Sequence, residues 1–189
     1  PINPYGQTKL AIEQMMDSYD RAYGIRSVRL RYFNVVGTDQ DARIGEWHDP
    51  ETHLIPNILK SLFEEGREFT IFGDDYDTRD GTCIRDYVNV LDLVDAHLLA
   101  LEYLDEGGKT DFFNLGTADG YTVKEVFETC RRVTGKDIPV RIAGRRPGDP
   151  AVLVADNLKA KTQLCWVPRR TLENSIRSAY AWEKRMHKR

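Results

Sequence analysis

Helical and extended periodicities alternate along this chain, and that alternation constrains its fold more than any other feature. Tyr5 to Tyr23 carries apolar residues at Leu10, Ala11, Ile12, Met15, Met16, Tyr19 and Tyr23, close to the i, i+3, i+4, i+7 spacing of an amphipathic helix. Gly24 marks its stop. Ile25 to Phe33 then reads as a strand, with Val28, Leu30 and Tyr32 on one face and Arg29 and Arg31 on the other. Asn34 to Thr52 is polar and without periodicity, and a loop of that length inside a compact domain is more often functional than idle. Further on, helices are predicted over Leu54–Glu65, Asp92–Leu104, Thr122–Val133, Asn157–Leu164 and Leu172–Arg185. Short strands are predicted over Phe69–Phe72, Ile84–Val88, Phe112–Leu115 and Pro139–Ala143. Thr122 with Glu125 three residues on has the capping-box pattern. Strands alternating with helices indicate an α/β fold.

Composition narrows the class. The 189 residues are 41% apolar and 30% charged, a globular balance, and no apolar run reaches a membrane span. A net charge of −3 gives no electrostatic case for a nucleic-acid or membrane partner. Cys83, Cys130 and Cys165 are odd in number and widely spaced, which argues against a disulfide framework or a zinc site. With no secretion-signal pattern at Pro1-Ile2-Asn3-Pro4, a reducing cytoplasm is the expected compartment. The acidic stretch Asp74 to Gly81 lacks the EF-hand spacing and reads as a solvated loop, and no other His/Cys/carboxylate cluster suggests a metal.

Tyr5 and Lys9 form a Y-x-x-x-K on one helical face. A phenol titrates near pH 10 and is a poor base at neutrality, but a nearby ammonium favours the phenolate. The pair is therefore suited to taking a proton from an alcohol that loses hydride. With nine Tyr and nine Lys, chance alone gives this spacing about 0.4 times, and Tyr180/Lys184 is a second instance. Context separates them: Asn3-Pro4 presents Tyr5 at a helix start, whereas Tyr180 lies mid-helix and reads as packing.

Longer segments carry a resemblance. Asn3-Pro4-Tyr5-Gly6-Gln7-Thr8-Lys9 and Leu30 to Gly37 resemble the extended short-chain dehydrogenase/reductase family. So do Thr52 to Pro56, Ile71 to Tyr76, Asp80 to Tyr87, Phe113 to Gly116 and Arg145 to Asp149. Within the family the likeness is to the branch that interconverts UDP-glucose and UDP-galactose through a 4-keto intermediate, with NAD as cofactor. A dehydratase, decarboxylase or uronate epimerase of the family is the alternative enzyme, and a non-catalytic UDP-sugar-binding module is the alternative of another class.

The resemblance implies Tyr5 as base, with Lys9 as its helper and holder of the nicotinamide ribose, and the Phe33 backbone against the nicotinamide. It implies Asn34 on phosphate or sugar, His53 on a sugar hydroxyl, and Leu54, Thr70 and Phe72 around the uracil. Arg85 and Arg146 would take the diphosphate, Asp149 the uridine ribose, and Tyr87 would join the substrate residues. Bottom-up, a loop arginine is more often a surface ion pair; two flanking a cleft suit a diphosphate. Leu153 falls where the family borders the sugar's 2-position, and its intermediate size leaves N-acetyl sugars open.

No G-x-G-x-x-G or G-x-x-G-x-x-G occurs among the fourteen glycines. The expectation is therefore the C-terminal part of a longer enzyme. Residues 1–37 and 88–118 would belong to a Rossmann-type NAD-binding domain, and 38–87 and 119–189 to a smaller mixed α/β UDP-sugar-binding domain. The helix from Tyr5 would have an orphaned apolar side in this chain, because the family uses it in a homodimer bundle.

Overall fold

A computed structural model describes residues 1–188. Helix α1 (Pro4–Tyr23) starts where Asn3 Oδ1 accepts the Gly6 amide at 2.8 Å, with Pro4 in its first turn. It ends at Gly24, whose φ of 67° is left-handed. Ion pairs tie it to β1 (Val28–Tyr32): Asp17 meets Arg29 at 2.5 Å, and Glu13 accepts from Arg31 Nε at 2.7 Å. The salt bridges settle why the strand alternates arginine with apolar residues.

Strand β1 runs parallel to β6 (Asp111–Leu115), with Val28 opposite Asp111 and Tyr32 opposite Leu115. At Phe33 the chain changes partner. The Phe33 amide still donates to Leu115, but β2 (Asn34–Val36) pairs in parallel with β5 (Tyr87–Asn89). Strand β3 (Phe69–Phe72) pairs in parallel with β8 (Val140–Ala143). Between them in sequence, β4 (Ile84–Arg85) has β7 (Tyr121–Thr122) antiparallel on one side and β9 (Val152–Leu153) parallel on the other. The remaining helices are α2 (Leu54–Lys60), α3 (Val90–Asp105), α4 (Val123–Thr134), α5 (Leu158–Gln163) and α6 (Leu172–Met186).

Two apolar cores result. One gathers Ile58, Leu59, Phe69, Ile71, Tyr87, Val126, Cys130 and Ile176. The other gathers Val88, Leu93, Ala96, Phe113, Leu115, Leu164 and Trp166, with the Trp166 indole donating to the Asp92 carbonyl at 2.7 Å. Buried carboxylates pin the loops between them. Asp86 accepts from the Thr117 amide and hydroxyl and from the Ala118 and Ala155 amides, at 2.8–3.2 Å. Gly116 makes room for this: a Cβ there would lie 2.4 Å from Asp86 Oδ2. Asp92 takes the Arg169 and Arg170 amides and the Arg170 guanidinium in the same way.

Three expectations change. The polar stretch from Asn34 begins with β2, too short for a visible period and paired with a partner 53 residues on, Asn34 opposite Tyr87. Helix α2 stops at Lys60, because the Ser61 hydroxyl donates to Ile58 and the Leu62 amide to Leu59, tightening the last turn. The acidic loop after β3 is folded inward rather than solvated throughout. Tyr76 and Thr82 are buried, and Asp80 accepts from the Thr82 amide and hydroxyl and from Thr122. The Thr122–Glu125 capping box forms with both of its hydrogen bonds. Tyr180 is packed in the core with Lys184 at 4.5 Å from its ring, as expected of a structural pair.

Candidate functional site

A cavity of about 620 Å³ opens where β2, the start of α2, β3, β4–β5 and the loop after β8 converge. Its walls bring together Asn34, His53, Leu54, Thr70, Phe72, Arg85, Tyr87, Arg146 and Asp149, residues scattered over more than 110 positions of sequence. Local structure explains several of these placements. Asn34 heads β2, and both its amide and its side chain donate to the Asp86 carbonyl, at 3.1 and 3.0 Å. Arg85 lies on β4, donates to its neighbour Ile84 at 2.7 Å, and forms an ion pair with Asp149. The Arg146 guanidinium stacks 4.0 Å from the centre of the Phe72 ring. Burial pushes the Tyr87 phenol well above its ordinary range, so this hydroxyl stays a neutral donor.

Of the guanidinium groups in this cavity, those of Arg85 and Arg146 can fork onto phosphate oxygens, while Leu54, Thr70 and Phe72 offer a less polar wall for a flat ring. Asn57 and Arg67 also line the cavity, with Arg67 Nη2 donating to Asn57 Oδ1 at 2.5 Å. Sequence reasoning missed both. Asn57 had a signal, since it stands one helical turn after His53. Arg67 had none, because its approach depends on the tightened end of α2. Leu153 lies outside the cavity wall, exposed on β9 with its backbone opposite Arg85.

Tyr5, Lys9 and Phe33 are also outside that wall. The ion pairs between α1 and β1 set their position. Moving from Asp17 to Glu13 on the helix corresponds to moving from Arg29 to Arg31 on the strand. Four helical residues advance about 6 Å and two strand residues about 6.6 Å, so α1 and β1 run in opposite directions and keep step between these two ion pairs. The Y-x-x-x-K lies N-terminal to Glu13 on α1, on the side toward which β1 runs on to Phe33, where it leaves β6. Such a parting of strands at their carboxyl ends is where open α/β sheets bind ligands. Lys9 Nζ lies 5.3 Å from the centre of the Tyr5 ring, and both side chains are exposed.

The sequence offered no metal cluster, yet the fold gathers Glu46, His48, Glu51 and His53 in the loop before α2. Their spacing of two, three and two residues follows neither a helix nor a strand, which is why it carried no signal. No helix among the described residues is long and apolar enough to cross a membrane.

Comparison with known proteins bears on this arrangement. The chain is 55% identical over 185 residues to the UDP-glucose 4-epimerase of Lactobacillus helveticus, covering 97% of this chain and 56% of that protein. A UDP-glucose 4-epimerase from Brucella ovis, solved in complex with NAD, superposes with a TM-score of 0.91 at 47% identity, over 95% of this chain and 56% of that one. The enzyme from Bifidobacterium longum, solved with NAD+ and UDP, superposes with a TM-score of 0.89 at 37% identity, over 97% of this chain and 55% of that one. The chain therefore spans about half the length of the curated relatives it matches. Residues 1–116 match the NAD dependent epimerase/dehydratase family, and with its parallel strands and the Tyr5–Lys9 helix the chain belongs to that family.

Proposed function

We propose that the protein of which these residues form part interconverts UDP-glucose and UDP-galactose, with this chain supplying the proton-transfer pair and the UDP-sugar cavity. The observation that carries the proposal is the single cavity lined by Arg85, Arg146, Asp149 and an apolar wall, in a chain whose first helix carries Tyr5 and Lys9. Arg85 and Arg146 hold the diphosphate, Asp149 the ribose, and Leu54, Thr70 and Phe72 the uracil. Asn34, His53 and Tyr87 face the phosphate and sugar, and Leu153 borders the sugar from β9. Residues 1–37 and 88–118 form the cofactor-side domain and the remainder the UDP-sugar domain.

The residues present fit the nicotinamide end of NAD. Lys9 and Tyr5 are exposed, and neither side chain is engaged in an ion pair among the described residues, so an ammonium is free to meet ribose hydroxyls. The Phe33 backbone lies at the parting of β1 and β6, where the ring's amide would meet it. The chemistry NAD supplies when bound is reversible hydride exchange at the sugar's C4. Tyr5 takes the proton from the 4-hydroxyl and returns it, with the Lys9 ammonium beside its ring. The exposed apolar side of α1 supports a homodimer for the whole protein, as in the dimers its family resemblance implies.

In the intact protein Tyr5→Phe is expected to lower kcat by about 10²–10⁴-fold, the range of general acid–base catalysis, with UDP binding retained by calorimetry. Turnover close to wild type would refute the assignment. Release of product from UDP-galactose but not from UDP-glucuronate separates this activity from that of a uronate epimerase.

A further inference from the structure

The loop before α2 holds a constellation that the sugar chemistry does not use as a unit. Glu46, His48, Glu51 and His53 each present one nitrogen or oxygen atom, and the four atoms lie within 4.8 Å of one another. His48 Nδ1 is 3.2 Å from Glu46 Oε1 and 3.7 Å from Glu51 Oε1. His53 Nδ1 is 3.8 Å from Glu51 Oε1 and touches Glu46 Oε1. Around a tetrahedral ion with bonds of about 2.0–2.1 Å, ligand atoms stand about 3.3–3.4 Å apart. Three of these separations are close to that edge length.

We propose that Glu46, His48, Glu51 and His53 bind one divalent transition-metal ion of the zinc type. The donor set is two imidazoles and two carboxylates, which suits zinc and its first-row neighbours better than the all-oxygen shells of Mg²⁺ or Ca²⁺. The two imidazole rings stand at 84° with centroids 5.0 Å apart, so they converge edge to face and do not stack. Charge favours a cation, since two carboxylates face one ammonium, Lys60, which is 3.5 Å from the outer oxygen of Glu51.

The ligands are also held from behind, as metal ligands need to be. The Glu51 side chain is only 2% exposed. The backbone amides of Thr52 and His53 both point at its carboxylate. Both amides donate to Oε1 at 2.9 Å. The Trp182 indole donates to the Glu46 carbonyl at 2.9 Å and anchors the far side of the loop to α6. Because Glu51 and His53 also line the large cavity, the ion would sit at its rim. Coordination through His53 Nδ1 would leave Nε2 protonated, a fixed donor on the cavity wall. The site rests on the loop alone and holds whatever the cavity takes.

The test is titration of the protein with Co²⁺, followed by displacement with Zn²⁺. The expected result is one Co²⁺ per chain, visible ligand-field bands of a four- or five-coordinate N/O site, and micromolar or tighter Zn²⁺ competition. His48→Gln and Glu46→Gln should each weaken binding about 100-fold or more, beyond the loss from outer contacts alone. His187→Gln, which removes an imidazole beside a different carboxylate, should leave it unchanged. Circular dichroism of each variant shows that the loss is not unfolding. Substoichiometric binding, or binding that neither loop substitution alters, would overturn the site and mark the cluster as hydrogen-bonded only.

Discussion

At the scale of single residues, the buried carboxylates do much to hold the loops that shape the cavity. Asp86 accepts four hydrogen bonds from residues 117, 118 and 155 directly behind Asn34 and Arg85. Asp86→Asn places an amide N–H against those donors and is expected to destabilise by about 2–4 kcal/mol, lowering Tm by about 5–15 °C in calorimetry. The cysteines give a second check. Burial pushes the Cys130 thiol up to about 12, whereas Cys165 is exposed and Cys83 is buried. One of the three should react quickly with a thiol reagent in the folded protein, and all three in denaturant. The unfolded Cys130 loses its proton near pH 8.5, ahead of the folded one. Its contribution to stability is therefore intact at lower pH and is lost as pH rises from about 9 toward 12, which urea melts over that range would register.

At the scale of elements, the caps were legible in the sequence and the pairings were not. Asn3, Gly24 and the Thr122–Glu125 box act over three or four residues, so the signals for them are local. Thr122 also donates to Asp80, which ties α4 to the loop after β3. Thr122→Ala should therefore cost more than a simple cap, about 1–2 kcal/mol by urea titration, while Lys136→Ala beyond the helix should cost nothing measurable. By contrast β2, β7 and β9 have two or three residues each and exist only because distant partners reach them. Of the site, the motif residues Asn34, Arg85, Arg146 and Asp149 were legible as a group through resemblance. Arg67 was not, since its place in the cavity follows from how α2 ends.

For the whole molecule, the apolar surface matters most. Helix α1 buries none of its residues, and Ile12, Met15, Tyr19 and Tyr23 are exposed, as are Val94, Leu98 and Leu101 on α3. This chain by itself is expected to bind a hydrophobic dye and to associate with rising concentration in light scattering, and Met15→Lys with Tyr19→Lys should reduce both. Unchanged association would place the sticky surface elsewhere. By itself the sequence determined the α/β class, the helix that carries Tyr5 and Lys9, and the capped ends, because each rests on side chains a few positions apart. Only the tertiary structure decided the partner change at Phe33, the gathering of Asn34, His53, Arg85, Arg146 and Asp149 around one cavity, and the convergence of Glu46, His48, Glu51 and His53. Those depend on contacts between residues at irregular or long separations, which only the folded path of the chain brings within reach.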